Sequence, residues 1–266
     1  MTTDSSNTSD GQKAQVQAYF SRTAANYVTS ASHRRGSDLQ RIIELGEWDA
    51  SLQAIDIATG GGHTALAVAP HVAQITVTDL TPTMLEQAKA FLLEQGVTNA
   101  QYCVADAEQL PFHDNSFDRA TCRIAPHHFP NVSQAVNEIA RVLKPQGLFL
   151  LIDSCAPDDP ELDSFVNDIE KRRDSSHIRS YTQEQWQNFF RLADLGIEQA
   201  EPFRRTHNYV DWTKRSQLSA TETSQLEAYI LSRPQAVQKH FEVVRNDAGH
   251  LASFSTNFIL LKGRKM

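Results

Sequence analysis

Cysteine is scarce in this chain of 266 residues: only Cys103, Cys122 and Cys155 occur, with no C-x-x-C spacing. That excludes a disulfide framework and a cysteine-rich zinc site. Each thiol lies in or just after an apolar strand-like run, as small buried side chains do. No apolar run approaches the length of a membrane span. Positive charge is in the minority, 25 Lys and Arg against 32 Asp and Glu, for a net charge of -7. Basic residues cluster only as short pairs such as Arg172-Arg173 and Arg204-Arg205, so no basic track exists to hold nucleic acid. The segment Met1 to Asp10 lacks the apolar core and cleavage site of a signal peptide. These absences predict a cytoplasmic protein, monomeric or homodimeric.

What is present is alternation. Strand-like runs occur at Gln53–Ile57, Gln74–Thr78, Gln101–Val104, Asp118–Arg123 and Leu148–Asp153. Helical patterns separate them at His63–Ala69, Pro82–Gln95 and Val132–Leu143. Pro82 suits a first helical turn and Gly96 a helix stop. This βαβα rhythm predicts an α/β fold with a doubly wound, mostly parallel sheet and helices on both faces. Residues 1–11 read as a disordered tail. Residues 12–46 read as a helical lid with a loop around Ser30 to Ser37. Residues 47–266 form the main domain, with a core over about 50–155. After Asp153 the rhythm changes, and about 156–250 reads as a mainly helical insertion containing a strand near Gly196–Phe203. Ser253–Leu261 is the expected last strand.

The densest signal is Ala54-Ile55-Asp56-Ile57-Ala58-Thr59-Gly60-Gly61-Gly62-His63. It reads as a strand, a tight turn and a helix start. Glycines there let a backbone approach a ligand, and the helix start offers unpaired N–H groups. Gly60-x-Gly62-x-x-Ala65 fits the dinucleotide fingerprint. Three acids extend the pattern. Asp56 sits inside the strand, where a buried carboxylate needs a partner. A cofactor carrying ammonium and sulfonium charge would supply one, and bracing of the turn's N–H groups is the alternative. Asp79 ends the second strand, about twenty residues past the glycines, where an acid accepts from ribose hydroxyls. Asp106 ends the third strand, where it can accept from an adenine amino group while the Ala107 N–H donates to the ring.

In that order the motifs resemble the class I S-adenosylmethionine-dependent methyltransferases, and more closely the small-molecule branch related to the ubiquinone/menaquinone C-methyltransferases. Asp56 to His63, Thr78-Asp79 with Met84-Leu85, Asp106-Ala107 with Leu110-Pro111-Phe112, Ser116-Phe117-Asp118 and Arg141 to Gly147 carry the likeness. Ala58 stands where the wider superfamily has a glycine. The tract Leu151-Ile152-Asp153-Ser154-Cys155 departs from the quinone-methylating signature. The resemblance implies a seven-stranded Rossmann-like sheet and S-adenosyl-L-methionine as cofactor. It implies contacts from Asp56, Ala58, Gly60 and Gly62 along the methionine portion, from Asp79 and Leu80 at the ribose, and from Asp106 and Ala107 at adenine. Arg123 would lie near the reacting methyl group. Phe20 and Tyr27 would lie on a lid helix facing the sulfonium, or else simply pack the helix.

Methyl transfer is a direct displacement, so the enzyme mainly aligns the acceptor and excludes water. An oxygen or activated-carbon acceptor also loses a proton. His127 and His128, after the fourth strand, are the candidate bases; as alternatives they brace the loop or sit in solvent. No metal site is expected, since this doublet with Cys122 lacks a second ligand pair. The cluster Arg172 to Arg179 can hold a carboxylate or phenolate acceptor, or can be an ordinary basic helix end. His33-Arg34-Arg35-Gly36 carries the same ambiguity. Trp186, Tyr209, Trp212 and Phe241 suggest a pocket for a flat, partly apolar small molecule. Two other functions fit parts of the pattern. An NAD-dependent oxidoreductase explains the glycines and Asp79 but leaves Asp56 and Asp106 without a role. A non-catalytic S-adenosylmethionine-binding regulator keeps the cofactor residues without the chemistry.

Overall fold

A computed structural model describes residues 8–28 and 36–266; the side chains of residues 24–28 and 37 fall outside the description. The chain opens with helix α1 (Ser9–Val28) and helix α2 (Ser37–Leu45). Of the expected tail, residues 9–11 belong to α1 and Thr8 caps it, its Oγ1 accepting from the Gly11 N–H at 3.2 Å, while residues 1–7 lie outside the described residues. The alternating part then runs β1 (Gln53–Ile57), α3 (His63–Val68), β2 (Gln74–Asp79), α4 (Pro82–Glu94), β3 (Ala100–Val104), β4 (Phe117–Arg123), α5 (Val132–Val142) and β5 (Leu143–Ala156). Next come α6 (Pro160–Arg173), β6 (Tyr181–Thr182), α7 (Gln183–Leu192), β7 (Leu195–Asn208), α8 (Tyr209–Arg215), α9 (Ala220–Leu231), α10 (Gln235–His240), β8 (Val244–Arg245) and β9 (Leu251–Lys265).

The sheet runs β3-β2-β1-β4-β5-β9-β7, with β6 added beside β5 and β8 beside β9. Strands β1 to β5 are mutually parallel, and β9 is antiparallel to both β5 and β7. The order reverses between β1 and β4. There the connections leave toward opposite faces and open a crevice at the strands' C-terminal ends.

Burial follows the two-residue period of the strands. In β5, Phe149 and Leu151 enter one core, with Ile55 and Ile57 of β1 and Val136 and Ile139 of α5. Leu150 and Ile152 enter the other, with Ile75, Val77 and Leu92. All four β5 side chains are fully buried, which explains the unbroken apolar run of an interior parallel strand. Truncating one, as in Leu150→Ala, costs about 2–5 kcal/mol.

The expected insertion over 156–250 is interrupted. Strand β7 is an integral part of the sheet, hydrogen-bonded along β9 from Leu195 to Asn208. The helical addition proper is α8–α10. It closes a third core with α6, and this core absorbs Tyr209, Trp212 and Phe241, while Trp186 packs in the first. Those four aromatics are buried core residues and are not part of the lining of the cavity described below, where the expectation had placed them around a small-molecule pocket. Among the described residues no helix is long and apolar enough to cross a membrane.

Candidate functional site

The crevice holds a cavity with about 970 Å³ of empty space, part of it open to solvent. Its lining comes from the β1–α3 turn, the ends of β2, β3 and β4, the Pro126–His128 turn and helix α1. Of the expected site residues, Phe20, Ala58, Gly60, Asp79, Leu80, Asp106, Ala107, Arg123 and His128 line it.

The β1–α3 turn is built by left-handed backbone. Ala58, Gly60 and Gly62 have φ of 52, 55 and 81°. For Ala58 that conformation carries a cost of about 1–2 kcal/mol, which explains why a glycine stands there in the wider superfamily. A Cβ built on Gly60 would find only Met84 Cε, at 3.9 Å. It would therefore extend into open space on the cavity floor. Gly62 serves a different purpose. A Cβ there would meet Ala88, Leu92 and Phe91 at 3.4–3.5 Å, so this glycine permits close packing of α3 on α4 and does not line the cavity.

Asp79 lies on the cavity with both oxygens engaged from behind. Oδ2 accepts from the Gly60 N–H at 3.1 Å and Oδ1 from the Thr81 N–H at 2.9 Å. Burial nevertheless pushes its carboxyl up to about 6. Thr81 occupies the N-cap of α4 but makes no side-chain cap. Asp56, by contrast, stands behind the cavity wall. Thr59 Oγ1 donates to its Oδ2 at 2.6 Å and Thr121 Oγ1 to its Oδ1 at 2.7 Å. It braces the turn through these hydroxyls and is not among the cavity's lining residues. Burial raises it to about 6 as well. Two buried carboxylates this hard to ionise fit a cofactor that brings positive charge and hydroxyl donors to the site.

Helix α1 closes the other side. Lys13, Val16 and Phe20 line the cavity, and Gln17 Nε2 donates to the Leu80 carbonyl at 2.9 Å. Lys13 Nζ reaches Asp106 Oδ2 at 2.7 Å and Glu108 Oε2 at 2.6 Å. Asp106 Oδ1 accepts from the Glu108 N–H at 2.9 Å. These α1 residues recur at helical spacing, so residues 13, 16, 17 and 20 were a legible stripe that sequence reading credited only at Phe20. Tyr27's side chain, and all of His33 to Arg35, lie outside the described residues. Arg123, expected beside the reacting methyl, lines the cavity but spends its Nε on Asp38 Oδ2 of α2, at 2.6 Å. Arg205 joins the same carboxylate at 3.0 Å.

The two histidines part company. His127 is not in the cavity wall. Its Nδ1 donates to Asp153 Oδ1 at 2.5 Å and its backbone N–H to Asp153 Oδ2 at 2.8 Å. Burial works against its charge, but the Asp153 carboxylate outweighs it and raises the pKa above the ordinary value. His128 does line the cavity, its ring edge-on to Phe20 with centroids 5.0 Å apart. Burial and the neighbouring His127 push it down to about 3, so it is neutral. Its Nδ1 lies 3.1 Å from Ser176 Oγ, which in turn bonds Asp174 Oδ1. Serine has one hydroxyl hydrogen, and the carboxylate can only accept it. Toward His128 the serine oxygen therefore accepts. The histidine proton sits on Nδ1 and a lone pair on Nε2. Asp153, Asp174 and Ser176 carry no sequence signal for these roles, since they approach the histidines from distant points of the chain.

The basic cluster is spent internally. Arg172 pairs with Asp168, Arg173 with Glu170 and Ser216, and Arg179 with Asp163.

The comparisons with known proteins agree with this geometry. Residues 55–151 match the family model described as a methyltransferase domain. The uncharacterized methyltransferase YcgJ of Bacillus subtilis (strain 168) is 38% identical over 246 residues, 92% of this chain and 97% of that protein. The crystal structure of YcgJ superposes with a TM-score of 0.84, at 38% identity, covering 87% of this chain and 99% of that one. The ubiquinone/menaquinone biosynthesis C-methyltransferase UbiE of Rickettsia bellii is 31% identical over 151 residues, 52% of this chain and 60% of that protein. Strand order, glycine turn, acidic strand ends and a relative this similar over nearly its whole length converge on one conclusion: the chain belongs to the class I S-adenosylmethionine-dependent methyltransferases.

Proposed function

We propose that the protein binds S-adenosyl-L-methionine in the β1–β4 crevice and methylates a small organic acceptor at oxygen or carbon. The observation that carries this reading is the shared cavity: Gly60, Asp79, Asp106 and Ala107 line it together with Arg123, at the end of β4, and His128 just after that strand. The cofactor, when bound, supplies a methyl group activated on a sulfonium. The chain's residues then have three tasks. Asp79 accepts from the ribose hydroxyls, Asp106 and the Ala107 N–H hold the adenine edge, and the Gly60 backbone admits the methionine portion. Helix α1, through Val16 and Phe20, excludes water from the reacting end. His128 Nε2 accepts the proton that the acceptor releases. A neutral base with a pKa of about 3 suits a proton lost late, when methylation has already made the acceptor oxygen strongly acidic.

The acidic surface and the absence of a basic track argue against a nucleic-acid acceptor. The test has two stages. Calorimetry should give micromolar-order binding of S-adenosylmethionine, about -8 kcal/mol, and none of NADH. A screen of phenols, quinones and small carboxylates, read by mass, should then show methyl transfer. Replacing both His127 and His128 should lower turnover by ~10²–10⁴ with cofactor affinity nearly unchanged. Binding of NADH in place of S-adenosylmethionine would overturn the reading.

A further inference from the structure

The ring of His128 is held at its inner nitrogen by a chain of buried polar groups that reaches back to helix α1. Ser176 Oγ lies 3.1 Å from Nδ1. The Ser176 hydroxyl and its backbone N–H both donate to Asp174 Oδ1, the N–H at 2.8 Å. Asp174 is fully buried. The Tyr19 hydroxyl bonds this carboxylate and the Ser216 side chain. Arg173 Nη1 in turn donates to Ser216 Oγ at 3.0 Å. The segment carrying Asp174 and Ser176 is docked on the histidine doublet, because the Ile178 and Arg179 N–H groups donate to the His127 carbonyl at 2.8 and 3.1 Å. Tyr19 belongs to α1 and precedes Phe20, whose ring meets His128 edge-on at 5.0 Å. Helix α1 therefore reaches the His128 assembly through two adjacent residues.

Each proton in this chain has one place to go. Arg173 can only donate, so Ser216 Oγ accepts from it and keeps its own proton for Tyr19. Burial, with the Asp174 charge, pushes Tyr19 up to about 12, so its hydroxyl stays protonated and donates to the carboxylate. Burial opposes the charge of Asp174, but His128, Arg173 and Ser176 outweigh it and hold the carboxyl below its ordinary value. The ionised carboxylate can only accept. Ser176 therefore gives it the hydroxyl proton and offers an oxygen lone pair to His128. A neutral imidazole has two tautomers, and the bond made at one nitrogen selects between them. Here that bond is made at Nδ1, which fixes the proton there and the free lone pair at Nε2.

We propose that Ser176, Asp174 and Tyr19 are positioning residues of the methyl-transfer site: they commit His128 to the tautomer protonated at Nδ1, present its Nε2 lone pair to the cavity, and tie that arrangement to α1. The inference rests on the methyltransferase reading above and adds the groups that make its base competent. None of the three lines the cavity, so each acts through His128 and not on the acceptor. When the acceptor gains the methyl group and loses a proton to Nε2, the ring becomes an imidazolium that keeps its Nδ1 proton on Ser176. The positive charge then lies two hydrogen bonds from the Asp174 carboxylate, which stabilises it without taking a proton. Without this chain the ring would divide between two tautomers, and the one protonated at Nε2 has no lone pair to offer. Because Tyr19 and Phe20 share α1, the helix that closes over the cofactor cavity also holds the base in its working form.

The ring-nitrogen resonances of the full-length protein, grown with isotope-labelled histidine and saturated with S-adenosylhomocysteine, distinguish the two tautomers, and His128→Gln identifies which signals belong to His128. In the native protein the proton should sit on Nδ1. Ser176→Ala should move it to Nε2 in about half or more of the molecules, and Ser176→Thr, which keeps the hydroxyl, should restore the native pattern. Tyr19→Phe should quicken exchange of the Nδ1 proton with water by about threefold or more, and it serves if the Ser176 variants fail to fold. A merely structural role would lower stability and leave the tautomer unchanged. A native ring protonated at Nε2, or a tautomer indifferent to Ser176→Ala, would overturn the inference while S-adenosylhomocysteine binding, read calorimetrically, stays intact. Unchanged exchange in Tyr19→Phe would overturn the part given to α1. Failure of S-adenosylhomocysteine to bind the native protein would overturn the methyltransferase reading and this inference with it.

Discussion

Lys13 on the first helix places its ammonium 2.7 Å from Asp106 at the end of β3 and 2.6 Å from Glu108 two residues on. One side chain thus ties the N-terminal helix to the strand end proposed to hold adenine. All three groups are partly or wholly shielded, so the contact is stronger than an open surface pair but of the same order, about 1 kcal/mol. Lys13→Ala should quicken amide exchange over residues 9–23 of the ligand-free protein about two- to fivefold. Exchange unchanged in that segment would show that α1 is held by its apolar contacts alone.

Asp79 is expected to dominate cofactor affinity. Asp79→Ala should weaken S-adenosylmethionine binding by about 2–4 kcal/mol, because two ribose hydroxyls lose a charged acceptor. An affinity within threefold of the native protein, measured calorimetrically, would assign Asp79 to bracing the turn alone.

The same carboxylates predict a pH dependence. Burial raises Asp56 and Asp79 from 3.8 to about 6. Between those values the folded protein binds more protons than the unfolded chain. Ligand-free stability therefore falls as pH rises from about 4 to 6, by up to about 3 kcal/mol per group, and the penalty persists above. A ligand that needs both groups ionised binds in the opposite sense, better as pH rises through 6. The shift in Tm produced by S-adenosylhomocysteine should be larger at pH 7.5 than at pH 5. A shift independent of pH would exclude both carboxylates from the binding equilibrium.

His127 and His128 should respond differently to replacement. His127→Ala leaves Asp153, which is fully buried, without its partner and should cost about 3–5 kcal/mol. The His127 pKa is raised on folding, so its stabilisation is fully present below 6.5 and is lost as pH rises through the folded value. The destabilisation should accordingly be greater at pH 6 than at pH 9. His128→Ala should leave stability nearly intact and lower turnover. Denaturant unfolding at the two pH values, set beside initial rates, separates the two roles.

Gly60 offers the cleanest steric test. Its φ is 55°, and a methyl group there touches nothing nearer than Met84 Cε at 3.9 Å. Gly60→Ala should cost about 1–2 kcal/mol of stability through the left-handed backbone. It should weaken S-adenosylmethionine at least tenfold by filling the cavity floor. Unchanged affinity would move the methionine portion of the cofactor away from this turn.

Period and punctuation were enough for the sequence to determine the alternating core. The run Ala54-Ile55-Asp56-Ile57, the glycines after it and the acids at 79 and 106 are local signals, because strand burial, turn geometry and strand ends are set within a few residues. The expected first strand, Gln53–Ile57, is the observed one, and the lining role of Asp79, Asp106 and Ala107 was legible for the same reason. Tertiary structure alone decided the rest. It turned Asp56 inward onto Thr59 and Thr121, gave His127 to Asp153 and His128 to Ser176, and folded Tyr209, Trp212 and Phe241 into a core. Those outcomes depend on which distant groups a side chain meets once the sheet is assembled, and one-dimensional spacing holds no record of partners 26, 48 or 65 residues away.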